Sequence, residues 1–279
     1  MKRGCVLGYD INEKGCQISY YDDSMEEPDT MMASSNNYLI PLVLGYFKDR
    51  WVFGKEAKRL AVVGEDCTET DLYGKAKRRE KVILAGKTYD AVWLLAKYIS
   101  LTLQDFENIQ YLTFTTPETD VDMAKMLKGI GQHIGVDKEI ISVQDYKESF
   151  CQYMIFQPKE LWQYESALFY CDEDRIKAYM LRRLRVDASH GMNSFVTVDE
   201  VANAQRKELE ALYPIMNKEK SPDESFKSMI ENVFEKKVIS SVYLTGEGFE
   251  KNWYPNSLRV LCNGRRAFMG NNLYSKGAC

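Results

Sequence analysis

The stretch VLGYDINEKGCQISYY, from Val6 to Tyr21, sets apolar residues on either side of a polar turn. Cys5 to Tyr9 and Gln17 to Tyr21 are predicted as two short strands joined through DINEKG, with Gly15 supplying the bend. A chain that opens on strands and then alternates helix and strand belongs among layered α/β proteins with mixed sheets.

Further along, Leu39 to Phe47 and Arg50 to Phe53 predict a second strand pair about Lys48-Asp49, with Pro41 at a strand start or edge. TYDAVWLLAKYISLTL carries Val92, Leu95, Ala96, Ile99 and Leu103 at helical spacing, with Thr88 as N-cap. Ile109 to Thr115 follows as a strand. The next segment puts Met123, Met126, Leu127, Ile130 and Ile134 on one helix face, closed by Gly135. Ile140 to Val143 reads as a strand, Asp145 to Phe156 as a helix, and Ser166 to Tyr170 with Ile176 to Leu181 as strands around CDEDR. Capping boxes at Thr197 to Glu200 and Ser221 to Glu224 each predict a helix start, the second with Pro222 at the first helical position. Strands over Val238 to Thr245 and Leu258 to Cys262 complete the pattern.

At 279 residues and 45% hydrophobic, the chain can bury the core of one large domain or two lobes. Its 37 basic and 41 acidic side chains leave a net charge of -4, so no global field gathers nucleic acid or anionic membrane. The local run KAKRREK, Lys75 to Lys81, has no interleaved aromatics and reads as a solvated face rather than a nucleic-acid contact. Seven cysteines with no Cys-x-x-Cys pair, and two histidines, give neither a disulfide framework nor a zinc site. Asp10 breaks the first apolar run far short of a signal-peptide core, and no run approaches the ~18 residues of a membrane span. A reducing cytoplasm is the expected location, with no nucleic-acid partner and no membrane span.

The order of elements resembles the nucleotide-binding domain shared by actin, the seventy-kilodalton heat-shock chaperones and the sugar kinases. VLGYDINEKGCQISYY stands where the chaperones have a strand, an Asp, a Gly-Thr-Thr-like turn and a second strand, with Asp10 at the family Asp. IPLVLGYFKDRWVFGKEAKR is similar to their Pro-led strand, hairpin, Gly and Ala-Lys helix start. YLTFTTPETDVDMAKMLKGIGQHIGVDKEIISVQD looks like the strand, Pro, long helix, Gly and strand that lead to their Asn-Glu-Pro segment, where Gln144-Asp145 stands and the Pro is missing. VYLTGEGFEKNW is similar to the adenosine-motif strand with its Gly-Gly turn, and MGNNLYSKGAC to the helix after it. The resemblance implies a two-lobed, actin-like (ribonuclease-H-like) ATPase-domain fold. The first lobe would span 1–150, and a reduced second lobe 151–279, its last helix in mid-course at Cys279. The boundary is expected near Ile141 to Glu165.

That family offers the N–H groups of two glycine-rich hairpins to the β- and γ-phosphates, since glycine lets the main chain approach that closely. Both hairpins are altered here. Asn12 stands at the family glycine, with Glu13-Lys14 where small hydroxyl residues belong; Lys14 could still touch a phosphate, while Glu13 repels it. In the second turn Asp172, Glu173 and Asp174 put three adjacent carboxylates beside a triphosphate, which costs several kcal/mol unless magnesium neutralises them. Asp10 has two readings: it helps hold the water shell of magnesium, as in the family, or it caps turn amides. Gly246-Glu247-Gly248 either ends a strand or faces a purine. The implied nucleotide-contact set is Asp10, Asn12, Lys14, Gly246, Glu247 and Gly248, with ATP and magnesium as cofactors if nucleotide binding is retained. His133, on or near a helix face, and His190, in a loop, have no nucleophile partner in sequence.

The altered turns favour a non-catalytic protein-binding or scaffold module that kept the two-lobed frame and holds an unidentified protein partner. The alternative is an ATP-binding switch or weak Mg-ATPase in which Asp10 and the acidic turn hold magnesium. A sugar or small-acid kinase is a third reading, which needs a catalytic Asp as base and finds no substrate motif.

Overall fold

The structure is a computed structural model that describes residues 4–35, 37–63, 67–172, 175–188, 191–205 and 221–279. The protein is α/β, with mixed sheets flanked by helices. Its chain divides into two compact units, Met1–Ser149 with Tyr274–Cys279, and Phe150–Leu273.

The first unit begins with β1 (Cys5–Ile11), β2 (Gly15–Tyr21) and β3 (Asp29–Thr30), followed by β4 (Ile40–Pro41), β5 (Leu44–Phe47), β6 (Arg50–Phe53) and α1 (Gly54–Val63). Then come β7 (Thr68–Glu69), α2 (Leu72–Lys77), β8 (Lys81–Leu84), β9 (Lys87–Asp90) and α3 (Ala91–Thr102). β10 (Ile109–Thr116), α4 (Val121–His133), β11 (Ile141–Asp145) and the first turn of α5 (Tyr146–Ile155) complete it before the C-terminal segment returns. The main sheet runs β11-β10-β1-β2-β3. β1 is parallel to β10 and β10 to β11, while β2 is antiparallel to both β1 and β3.

Alternation along β1 separates two environments. Leu7, Tyr9 and Ile11 join Ile18, Leu112 and Phe114 in the core, with Leu94, Leu95, Met126, Leu127 and Ile130 from α3 and α4. The other face of β1 carries Gly8 and Asp10. A Cβ at Gly8 would lie 2.0 Å from the Ser275 carbonyl oxygen, so only glycine admits the returning C-terminal segment there. Ser19, the partner of Gly8 on β2, shares a 2.8 Å hydrogen bond with the Ser275 hydroxyl.

The second unit contains β12 (Glu165–Cys171), β13 (Arg175–Ala188), β14 (Gly191–Gln205), α6 (Pro222–Phe234), β15 (Ile239–Thr245), α7 (Pro255–Leu261) and β16 (Arg266–Met269). Its sheet runs β14-β13-β12-β15-β16, with β12, β15 and β16 parallel and β13 antiparallel to both neighbours. This is the order and direction of the first sheet, strand for strand. Phe226, Ile230 and Val233 of α6 pack on Ala167, Phe169, Val242 and Leu244. The last helix, α8 (Leu273–Ala278), straddles the division, and its residues from Tyr274 onward belong to the first unit.

Three local expectations are corrected. The helix expected from Thr197 is instead part of β14, which pairs with β13 throughout. Thr197-Val198-Asp199-Glu200 has the letters of a capping box, but it lies in the β-branched run Val196-Thr197-Val198, and strand pairing overrides the local signal. The strand expected over Leu258 to Cys262 is largely α7, whose cap comes from 33 residues upstream: the Asp223 carboxylate accepts the Asn256 and Ser257 N–H groups, both at 2.8 Å. Finally, Thr88 lies in β9, and the N-cap of α3 is Asp90, whose carboxylate accepts from Val92 and Trp93. Among the described residues no helix is long and apolar enough to cross a membrane.

Candidate functional site

The carboxyl ends of the central strands in the first unit carry a polar row at shared register. Gln17 on β2 pairs with Asp10 on β1, Asp10 with Thr115 on β10, and Thr115 with Gln144 on β11. Asp10 and Thr115 are fully enclosed, at 3% and 0% exposure. Such groups demand partners. Thr115 shares a 2.6 Å hydrogen bond with Ser149, which also accepts one from the Gln144 amide at 2.8 Å. The Gln17 side-chain oxygen is buried and makes no hydrogen bond among the described residues.

Tyr146, at the start of α5, closes the row. Its hydroxyl donates to Asp10 Oδ1 at 2.8 Å and accepts from Asn12 Nδ2 at 3.1 Å. Its ring stacks on Tyr274, with centroids 3.7 Å apart and planes 5° from parallel. Burial pushes the Asp10 carboxyl up to about 7, against the Tyr146 hydrogen bond that favours the charged form. Tyr73 is raised to about 12, first by its own burial and then by the Glu13, Asp10 and Asp120 charges, after a smaller opposing hydrogen bond from Thr116.

The β1–β2 turn satisfies itself. Asn12 Oδ1 accepts the N–H groups of Lys14 at 2.9 Å and Gly15 at 3.3 Å, while the Asn12 N–H donates to the Gly15 carbonyl. This is the local side-chain capping at which Asn excels. The Lys14 carbonyl accepts from Leu42, tying the turn to the chain after β4.

In the second unit Gly246 follows β15 with φ +94°, and a Cβ there would lie 2.2 Å from the Cys171 carbonyl oxygen. Its N–H donates to Asn271 Oδ1 at 3.0 Å. Gly248 is buried, and a Cβ on it would meet the Cys171 sulfur at 2.3 Å. Its carbonyl accepts the Trp253 indole N–H at 2.7 Å. Both glycines therefore serve close packing of the turn 247–249 on the end of β12. In the β12–β13 turn Asp172 Oδ1 accepts the Arg175 N–H at 2.7 Å.

A family model described as the C-terminal part of a family of unknown function, DUF5716, matches residues 27–279. The chain belongs to this family. No curated protein gives a significant match to it.

In this family member Asp10 and Asn12 meet through Tyr146, whereas Lys14 takes part through its backbone. Gly246, Glu247 and Gly248 form their own turn in the second unit. Glu173, Asp174 and His190 lie outside the described residues. Among the described residues no three His, Cys, Asp or Glu side chains gather to hold a metal ion. Sequence reasoning missed Tyr146, though a signal existed: it directly follows Gln144-Asp145, at the place of the missing Pro. Within the basic run Lys75 pairs with Glu69 and Arg78 with Asp71 and Glu80.

Proposed function

We propose that the chain is a degenerate member of the actin, chaperone and sugar-kinase superfamily, a two-lobed ribonuclease-H-like frame that acts as a non-catalytic protein-binding or scaffold module. The repeated sheet order, with three parallel strands flanked by an antiparallel pair in each unit, supports the frame. The observation that carries the loss of chemistry is the Asn12 side chain. A phosphate cradle needs main-chain N–H groups left open toward the ligand, and Asn12 consumes those of Lys14 and Gly15. Asp10 likewise spends an oxygen on Tyr146.

A surface aromatic group supports the partner-binding half of the reading. Trp51 lies edge-on to Tyr46 and Tyr89, and Trp93 stacks on Tyr89 with centroids 5.5 Å apart. Trp93 is 39% exposed. Tyr and Trp that keep large faces open are enriched where proteins meet.

The alternative, a Mg-ATP switch, is favoured by one feature: an enclosed carboxylate at the end of a central parallel strand. Thermal unfolding with and without millimolar Mg-ATP separates the two. Ligand at about a hundred times its dissociation constant stabilises by roughly 2.7 kcal/mol, a midpoint shift of about 5 to 10 °C. The scaffold reading expects no shift with ATP, ADP or GTP. A shift of that size that Asp10→Ala weakens would establish the switch.

A further inference from the structure

The second unit holds a cavity of about 550 Å³ where α6 crosses the edge strand β14. Its origin is local. β14 presents Ala202 and Ala204 under the helix, and a bulge sets Val201 as an extra residue between the pairs Ala178–Ala202 and Tyr179–Glu200. Small side chains and a bulge leave space that a regular strand with larger residues would fill. Volumes of this size suit small-molecule ligands.

The lining is chemically one-sided. Among the described residues its charged lining is Arg182 and Lys237, both cationic, with no carboxylate. Arg182 is braced by Glu165 at 3.2 Å and Asp199 at 3.6 Å. Lys237 spends one of its three N–H donors on the Val233 carbonyl at 2.6 Å. Ser225, on α6, is 7% exposed, and its hydroxyl makes no hydrogen bond among the described residues. A buried hydroxyl on a residue that lines a cavity, with no acceptor of its own, is a donor that a ligand reaching it would satisfy. Met229 and Val233 supply an apolar wall beside it.

We propose that this cavity between α6 and β14 binds a small monocarboxylate with a short apolar body. The carboxylate meets Lys237 and the Ser225 hydroxyl, and the apolar body lies along Met229 and Val233. This site is separate from the β1–β2 turn, and its occupancy is independent of whether nucleotide binds there.

Calorimetric titration of the full chain with octanoate and benzoate, against octanol, benzyl alcohol and inorganic phosphate, tests it. One acid should bind saturably at a single site, at least about tenfold tighter than the matching alcohol, as a charge-assisted hydrogen bond implies. Lys237→Met should weaken that acid about tenfold, and Ser225→Ala a few-fold. Met229→Trp, which crowds the apolar wall of the cavity, should weaken binding while the melting midpoint stays within a few degrees. If that variant does not fold, Lys237→Met and Ser225→Ala decide the matter alone. Absence of saturation by either acid, equal binding of acid and alcohol, competition by phosphate at equal concentration, or full retention in Lys237→Met would each overturn the proposal.

Discussion

Superposing the two sheets by register rather than by sequence pairs Tyr9 with Phe169, Thr115 with Thr245, Asn12 with Asp172, and Asp10 with Tyr170. Positions that face the core keep their apolar character, while on the other face Thr115 and Thr245 match but Gly8 and Asp10 give way to Leu168 and Tyr170. Gly8 corresponds to Leu168, which is fully buried, because in the first unit the C-terminal segment occupies the space that Leu168 fills with its own side chain. The units also grew differently. The first interposes residues 31–108 between β3 and β10, whereas the second extends its outer strands to 14 and 15 residues and carries α6 before β15. One strand order thus tolerates quite different elaboration, provided that the central strands keep an apolar face. Each first turn is also self-capped by an Asx side chain, by Asn12 in one unit and Asp172 in the other.

Trp51 and Trp93 lie in the first unit and Trp162 and Trp253 in the second, so emission can follow each unit when the other pair is replaced. The largest expected effect is Gly8→Ala. The added Cβ would meet main chain from Ser275 to Cys279, which cannot give way as a side-chain end can, and about 4 kcal/mol or more should be lost in the first unit. Leu168→Gly, the reverse exchange, should destabilise the second unit by a similar amount through the cavity it opens. If Gly8→Ala leaves the Trp51 and Trp93 transition unmoved, the two faces are not distinguished as described.

Next come two carboxylates whose stabilities should move with pH in opposite senses. The folded Asp10 pKa is about 7 against 3.8 ordinarily, so folding favours its protonated form. The first unit should lose stability as pH rises from about 4 to 7, by about 4 kcal/mol in all, and level off above. Asp10→Asn keeps an acceptor for Tyr146 and should erase that slope. In the second unit, burial acts to raise the Asp223 pKa, but hydrogen bonds from Ser257 and Asn256 outweigh it and hold it below the ordinary value. Its contribution is present above the ordinary carboxylate range and is lost as pH falls through the folded pKa. Asp223→Ala, which strips the cap from α7, should cost about 3 kcal/mol at neutral pH. Parallel pH slopes for the two units, read by their separate tryptophans, would refute the contrast.

Much of this was legible in the sequence because it is local. The β1–β2 hairpin, α4 with its Met123, Met126, Leu127 and Ile130 face, and α6 behind Ser221 carry period, cap and turn signals within a dozen residues. What escaped is what distant groups decide. α7 exists because Asp223 caps it from another helix, and β14 because β13 pairs with it. The candidate site divides in the same way. Asp10 and Asn12 were singled out by the resemblance of their turn to the chaperone stretch, whereas Tyr146 reaches them across 136 and 134 residues of chain. The expected purine-facing role of Gly246 and Gly248 could not be weighed from sequence against their contact with Cys171, since a close approach leaves no trace except the glycine itself.

The smallest effect bears most directly on function. Asn12→Ala removes the oxygen that holds the Lys14 and Gly15 N–H groups and the amide that reaches Tyr146, all at the rim of the first unit. A surface cap of this kind contributes about 1 kcal/mol, so the first unit should melt only a few degrees lower. The same change reopens two main-chain donors where a phosphate would sit. If the self-capped turn is what excludes nucleotide, Asn12→Gly should gain a measurable thermal shift with Mg-ATP that the parent lacks. Were Asn12→Gly as indifferent to nucleotide as the parent, the block would lie elsewhere, with Glu13 the nearest candidate. Its charge already reaches Tyr73 and would repel an incoming phosphate.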